Sequence, residues 1–92
     1  MSAARFEPGR VVVTREALAV CLGEEVAPSG LLARHVSGDW GDVSHEDAYQ
    51  NEYGLRHGLR VLSSHPLPSG TCVWIITEAD RSSTTILLPH EY

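Results

Sequence analysis

Gly70–Tyr92 reads GTCVWIITEADRSSTTILLPHEY, and its reading decides the fold. Thr71–Thr77 is dense in β-branched and aromatic residues, Ser83–Leu88 repeats that character, and the polar Glu78–Ser82 between them has the length of a hairpin loop. Within the first run Val73 and Ile75 point one way and Cys72, Trp74 and Ile76 the other. Both faces are apolar, which predicts a central strand. Trp74 and Ile76 are then expected beneath a helix.

Upstream, Leu59–Ser64 reads as a further strand joined through His65–Gly70, so the C-terminal third is a β-meander closed by Pro89. The preceding segment reads as helical. Ser44 and Asp47 are spaced as a variant capping box, Val43 and Ala48 as a hydrophobic staple, and Gly58 supplies the left-handed stop. Ala48, Asn51 and Leu55 share a face, so Asn51 needs hydrogen-bond partners, expected in the preceding loop. Ser37–Val43, SGDWGDV, is a compact loop pinned by Trp40, and Leu31–Val36 a short helix with Leu31, Leu32, His35 and Val36 on one side.

Toward the N-terminus, Val11–Val13 suits a short strand after the turn signal Pro8-Gly9. Thr14 then caps a helix ending at Gly23, whose apolar stripe is Leu18, Cys21 and Leu22. Leu18 and Leu22 are the expected neighbours of Trp74. The expected architecture is therefore α+β: three helices packed on an antiparallel sheet of three strands, with Val11–Val13 available as a fourth at its edge.

The 92 residues predict a single domain, 1–92, able to bury a core without staples. With 42% hydrophobic and 21% charged residues the chain lies far from the composition of disordered proteins. Seven basic residues against 12 acidic ones give a formal charge of -5, which argues against direct nucleic-acid binding because that affinity rests on neutralising phosphates. Cys21 and Cys72 have no CxxC or metal-ligand spacing and read as buried thiols. His35, His45, His57, His65 and His90 form no recognised ligand motif, and His35 reads as a core-edge side chain. Neither metal nor cofactor is expected. The N-terminal MSAARFEPGR lacks the apolar core of a signal peptide, and no run is long enough to span a bilayer, so a soluble cytoplasmic protein is expected.

Chemistry concentrates in two places. Between Val36 and Leu55 there is no Lys or Arg, yet Asp39, Asp42, Glu46, Asp47 and Glu52 all fall there. This acidic run, with Trp40 inside it, reads either as a surface that docks on a basic groove or as a solvated helix start, where carboxylates suit the helix dipole. The turn cluster Thr77, Glu78, Asp80, Arg81 and Ser82 reads either as an acid, a base and an anion clamp, with Glu78, Asp80 and Arg81 as binding candidates, or as a turn device with a weak local ion pair.

The blocks RHVSGDWG at Arg34–Gly41, WIITEADRS at Trp74–Ser82 and TTILLP at Thr84–Pro89 resemble a family of short bacterial proteins carried on plasmids and integrative elements. The resemblance extends from Val11 onward, departing at Tyr49, Tyr53, Gly54 and His90. It implies a mobile-element setting and no reaction. The order of helix, strands and Thr-rich final strand is also similar to the sheet of barnase-like ribonucleases, although the place where those enzymes carry a catalytic His falls near Asp80-Arg81 and holds none.

The expected function is that of a non-enzymatic interaction protein of a mobile element, an inhibitor of host defence such as restriction or CRISPR machinery. Its partner would be a protein with a basic surface, such as a defence nucleoprotein, and a homodimer is compatible with the size. The alternative is a barnase-like ribonuclease toxin or another small nucleic-acid hydrolase.

Overall fold

The computed structural model describes residues 3–92; Met1 and Ser2, which open the segment read for a leader, lie outside them. In chain order the elements are β1 (Arg10–Val13), α1 (Arg15–Gly23), α2 (Pro28–Val36), α3 (His45–His57), β2 (Val61–Pro66), β3 (Cys72–Thr77), β4 (Ser83–Leu87) and a short 3-10 turn (Pro89–Glu91). The strands form one sheet in the order β1-β4-β3-β2, so β3 is internal and the C-terminal meander is present.

The sheet is mixed, which corrects the expectation of a purely antiparallel one. β2, β3 and β4 pair antiparallel, whereas β1 lies parallel to β4 with Val11 beside Thr84 and Val13 beside Ile86. The Arg10 and Thr14 amides bracket this pairing, donating to the Ser82 and Ile86 carbonyls at 3.0 Å each. Neighbouring residues fix the direction inside a hairpin, but the direction of β1 depends on how three intervening helices return the chain to the sheet.

Local signals explain the helix ends. Thr14 Oγ1 accepts from the Ala17 amide at 3.1 Å and Ser44 Oγ from the Asp47 amide at 3.0 Å. Gly58 stops α3 at φ 67°. The face that α1 buries differs from the expected one. Ala17 and Cys21 are fully buried, while Leu18 and Leu22 are 40% and 62% exposed. The helix is rotated by about one residue so that its smaller side chains meet the sheet, allowing close approach.

The core lies on one side of the sheet. Ala17, Cys21 and Leu31 from the first two helices pack with Leu67, Val73, Ile75, Ile86 and Leu88. Side-chain alternation therefore places Trp74 and Ile76 on the opposite face. Ile76 is buried and Trp74 only half-buried, with the Tyr92 ring edge-on at 5.8 Å. The expected helical cover over Trp74, with Leu18 and Leu22 beside it, is absent because α1 and α2 both lie on the Val73 and Ile75 face.

The outer edge of β2 is closed. Asn51, buried on α3, receives the Leu62 amide on Oδ1 at 2.9 Å and donates Nδ2 to the Leu62 carbonyl at 2.7 Å. Two residues on, the Ser64 amide donates to the Trp40 carbonyl at 3.0 Å and the Ser64 carbonyl accepts from the Asp42 amide at 2.7 Å. Asn51 therefore serves the strand, and the preceding loop serves Ser64 instead. Asn51→Ala should cost about 1–3 kcal/mol in urea unfolding, because both Leu62 groups lose their partner in a half-buried setting.

Candidate functional site

A line of polar side chains runs through the core. Thr84 Oγ1 donates to the Pro8 carbonyl at 2.7 Å and lies 2.7 Å from Thr77 Oγ1. His35 Nε2 lies 2.8 Å from Thr77 Oγ1, His35 Nδ1 is 2.7 Å from Ser63 Oγ, and Ser63 Oγ is 2.9 Å from His65 Nε2. All five side chains are fully buried, so His35 sits in the core centre rather than at its edge.

The Pro8 carbonyl is acceptor-only and fixes the proton directions from Thr84 as far as His35 Nε2–H. Thr84 gives its proton to Pro8, so Thr77 gives its own to Thr84, and Thr77 must accept from His35 Nε2–H. With His35 neutral, its Nδ1 accepts from the Ser63 hydroxyl, and Ser63 accepts from His65 Nε2–H. Burial favours the neutral form of both imidazoles. Their pKa values are correspondingly lowered to about 4: for His35 by burial, then by His65 and Arg81, and for His65 by burial, then by Arg34, against the opposing pull of Asp39.

Ser63 donating to a histidine has the outline of an activated nucleophile, but neither side chain is accessible, so no substrate can reach it. His65 Nδ1 is the one buried side-chain polar atom without a partner among the described residues. It faces Gly41, whose φ is +72°; a Cβ there would lie 2.1 Å from the Ser64 carbonyl oxygen and 2.9 Å from His65 Nδ1. Glycine at 41 lets the loop close over the imidazole.

The acidic segment divides into tied and free carboxylates. Asp39 pairs with Arg34 Nε at 2.8 Å, which with the Gly41 amide holds its pKa below the ordinary value. Glu52 takes a bidentate pair from Arg5 at 2.8 Å and the Trp40 indole N–H at 3.0 Å, and its pKa is lowered to about 2, with Arg5 the larger cause. Trp40 is buried against Phe6 and His35 and offers no contact surface. Asp42, Glu46 and Asp47 are exposed and in no ion pair among the described residues.

Asp47 also borders a groove of about 430 Å³ between α3 and the sheet face that the helices leave open. Trp74, Leu59 and Leu62 supply its apolar lining, Asp47, Gln50 and Asn51 the α3 wall, and Arg60 the far rim. The Arg60 guanidinium is occupied by Tyr92, donating to its hydroxyl and lying 5.4 Å from its ring centre.

The turn residues follow the C-terminal end of β3. Arg81 adopts φ 62°, and its guanidinium donates to the Leu59, Glu78 and Gly54 carbonyls at 2.7, 2.9 and 3.0 Å while lying over Phe6. It ties the hairpin to the end of α3. Asp80 accepts from the Ser82 amide at 2.9 Å in an Asx turn, its pKa is lowered by the Ser82 side chain and then by that amide, and Glu78 is exposed. The structure thus places Asp47 on the groove, Glu46 next to it in the first turn of α3 and Asp42 in the loop before that helix, while Glu78, Asp80 and Arg81 lie in the β3–β4 turn.

Neither the described cysteines nor any group of three or more His, Cys, Asp or Glu among the described residues forms a disulfide or a metal-binding cluster. Among those residues no helix is long and apolar enough to cross a membrane. Comparison with protein-family models, with curated proteins and with solved structures found no match to this chain.

Proposed function

We propose that this chain is a non-enzymatic interaction protein that docks a basic protein partner through Asp42, Glu46 and Asp47 and the adjoining groove over Trp74. The observation that carries the reading is that Asp47, exposed and in no ion pair among the described residues, borders the groove over half-buried Trp74, with exposed Glu46 beside it in sequence and exposed Asp42 in the loop before α3. Asp39 and Glu52 spend their charge internally, whereas Asp42, Glu46 and Asp47 leave theirs available to steer an approaching cationic surface. An apolar lining beside them offers what charge alone does not, a desolvated anchor point.

Taken with the resemblance to plasmid-borne proteins, the basic partner is a nucleic-acid-handling protein of host defence, and this chain its inhibitor in the cytoplasm. The test is affinity capture from host lysate followed by association kinetics on the captured protein. Reversing Asp42, Glu46 and Asp47 to Lys should slow association at low salt by on the order of tenfold or more, with the fold intact. Equal on-rates for the two proteins would assign these carboxylates to a solvated face.

A further inference from the structure

We propose that β1 is the dimerisation edge of this protein, pairing antiparallel with β1 of a second copy to join two sheets into one. The inference is independent of the groove, which lies toward the β2 edge. There Leu62 and Ser64 have every outward backbone group satisfied by Asn51, Trp40 and Asp42. Among the described residues nothing covers the β1 edge in this way.

The Arg10 and Thr14 amides point to β4. Alternation along the strand turns those of Val11 and Val13 outward, together with their carbonyls. Val11 and Val12 are each 41% exposed. The strand is a run of three valines with no proline, charge or bulge among them to discourage pairing.

The register follows from self-complementarity. A two-fold axis at Val12 sets Val11 of one copy opposite Val13 of the other, and each such pair exchanges two hydrogen bonds. The symmetry repeats the pair. Val12 then meets its own counterpart at the close, non-hydrogen-bonded position, about 4.5 Å between Cα atoms.

The same register puts Arg10 directly opposite Thr14 of the second copy and on the same sheet face. Thr14 Oγ1 donates to Glu91 Oε1 at 2.7 Å, which fixes that carboxylate beside the position the opposing guanidinium reaches. Arg10 is exposed and in no ion pair among the described residues. An Arg10 to Glu91 pair therefore forms twice across the axis. This charge match belongs to a second copy in this register and not to an arbitrary strand.

The experiment is sedimentation or light scattering of the full chain, in reducing buffer, from micromolar to millimolar concentration. The wild type should approach twice its 10.0 kDa mass. Val11→Pro removes only an outward amide and should be monomeric throughout, with circular dichroism confirming its fold. Arg10→Glu, at a side chain that makes no hydrogen bond among the described residues, should weaken dimerisation several-fold. A wild type that stays monomeric at millimolar concentration overturns the proposal, as does a dimer whose affinity neither change alters.

Discussion

His35→Ala should lower the unfolding free energy by on the order of 3–5 kcal/mol, because it combines a core cavity with the loss of one of the two hydrogen bonds at each of the buried Ser63 and Thr77 hydroxyls. A domain of this size has roughly 5–14 kcal/mol in total, so the variant will be marginal at 37 °C. His35 joins α2 to β2 through Ser63 and to β3 through Thr77, so its loss cuts two polar ties between α2 and the sheet in one step, while the Thr77–Thr84 and Thr84–Pro8 hydrogen bonds remain. Urea unfolding followed by near-ultraviolet circular dichroism checks this, since the imidazole lies 5.8 Å from the Trp40 ring. His45→Ala, at an exposed position, serves as the control and should shift stability by no more than about 0.5 kcal/mol. Similar midpoints for the two variants would show that the buried line is not what holds the core together.

Acidification should weaken the fold earlier than carboxylate protonation does. Both imidazoles titrate near 4 in the folded protein against 6.5 when unfolded, so the unfolded chain binds more protons between these values. The stabilisation is complete above pH 6.5 and is lost as pH falls toward 4, at about 1.4 kcal/mol per pH unit for each histidine. From pH 6.5 to 4.5 the loss is on the order of 3–5 kcal/mol. Glu52 also loses stabilisation on acidification, but from 4.5 toward about 2, and its exposed pair with Arg5 is screened by solvent. A melting temperature that falls steadily between pH 6.5 and 4.5, with a shallower slope in His65→Leu, is the expected result. A flat profile over that interval would mean that the buried imidazoles are charged or solvated.

What was legible in the sequence was local. Ser44, Asp47 and Gly58 bound α3 through side-chain and backbone chemistry within a few residues, and the Thr77–Ser83 hairpin is set by its own turn. The parallel partner of β1 was not legible, since three valines carry no information about strand direction. Nor was the choice between Ala17 with Cys21 and Leu18 with Leu22, which depends on how closely α1 approaches the sheet. The buried line had a signal: His35 shares the apolar face of α2 with Leu31, and Ser63 alternates with Val61. Its assembly, however, needs pairing between β2, β3 and β4.

The same division applies to the candidate site. The acidic run was visible as composition, but the split into tied and free carboxylates depends on Arg5, which lies 47 residues from Glu52 in sequence. Trp40, conspicuous between two glycines, faces inward because Glu52 and Phe6 receive it. The groove was hidden for a related reason. A strand apolar on both sides does not reveal which face the helices take, and here they leave Trp74 open.

The central claim is that the free carboxylates and the Trp74 groove form one docking surface. It is tested most directly by titrating an isotope-labelled sample with a short peptide of alternating arginine and leucine at low salt. Amide shifts in a nuclear magnetic resonance titration should centre on Asp42, Glu46, Asp47 and Gln50, accompanied by the Trp74 indole but not that of buried Trp40. They should vanish when the three carboxylates are reversed to Lys. Shifts centred instead on Glu78–Ser82, or unchanged by the reversal, would contradict it.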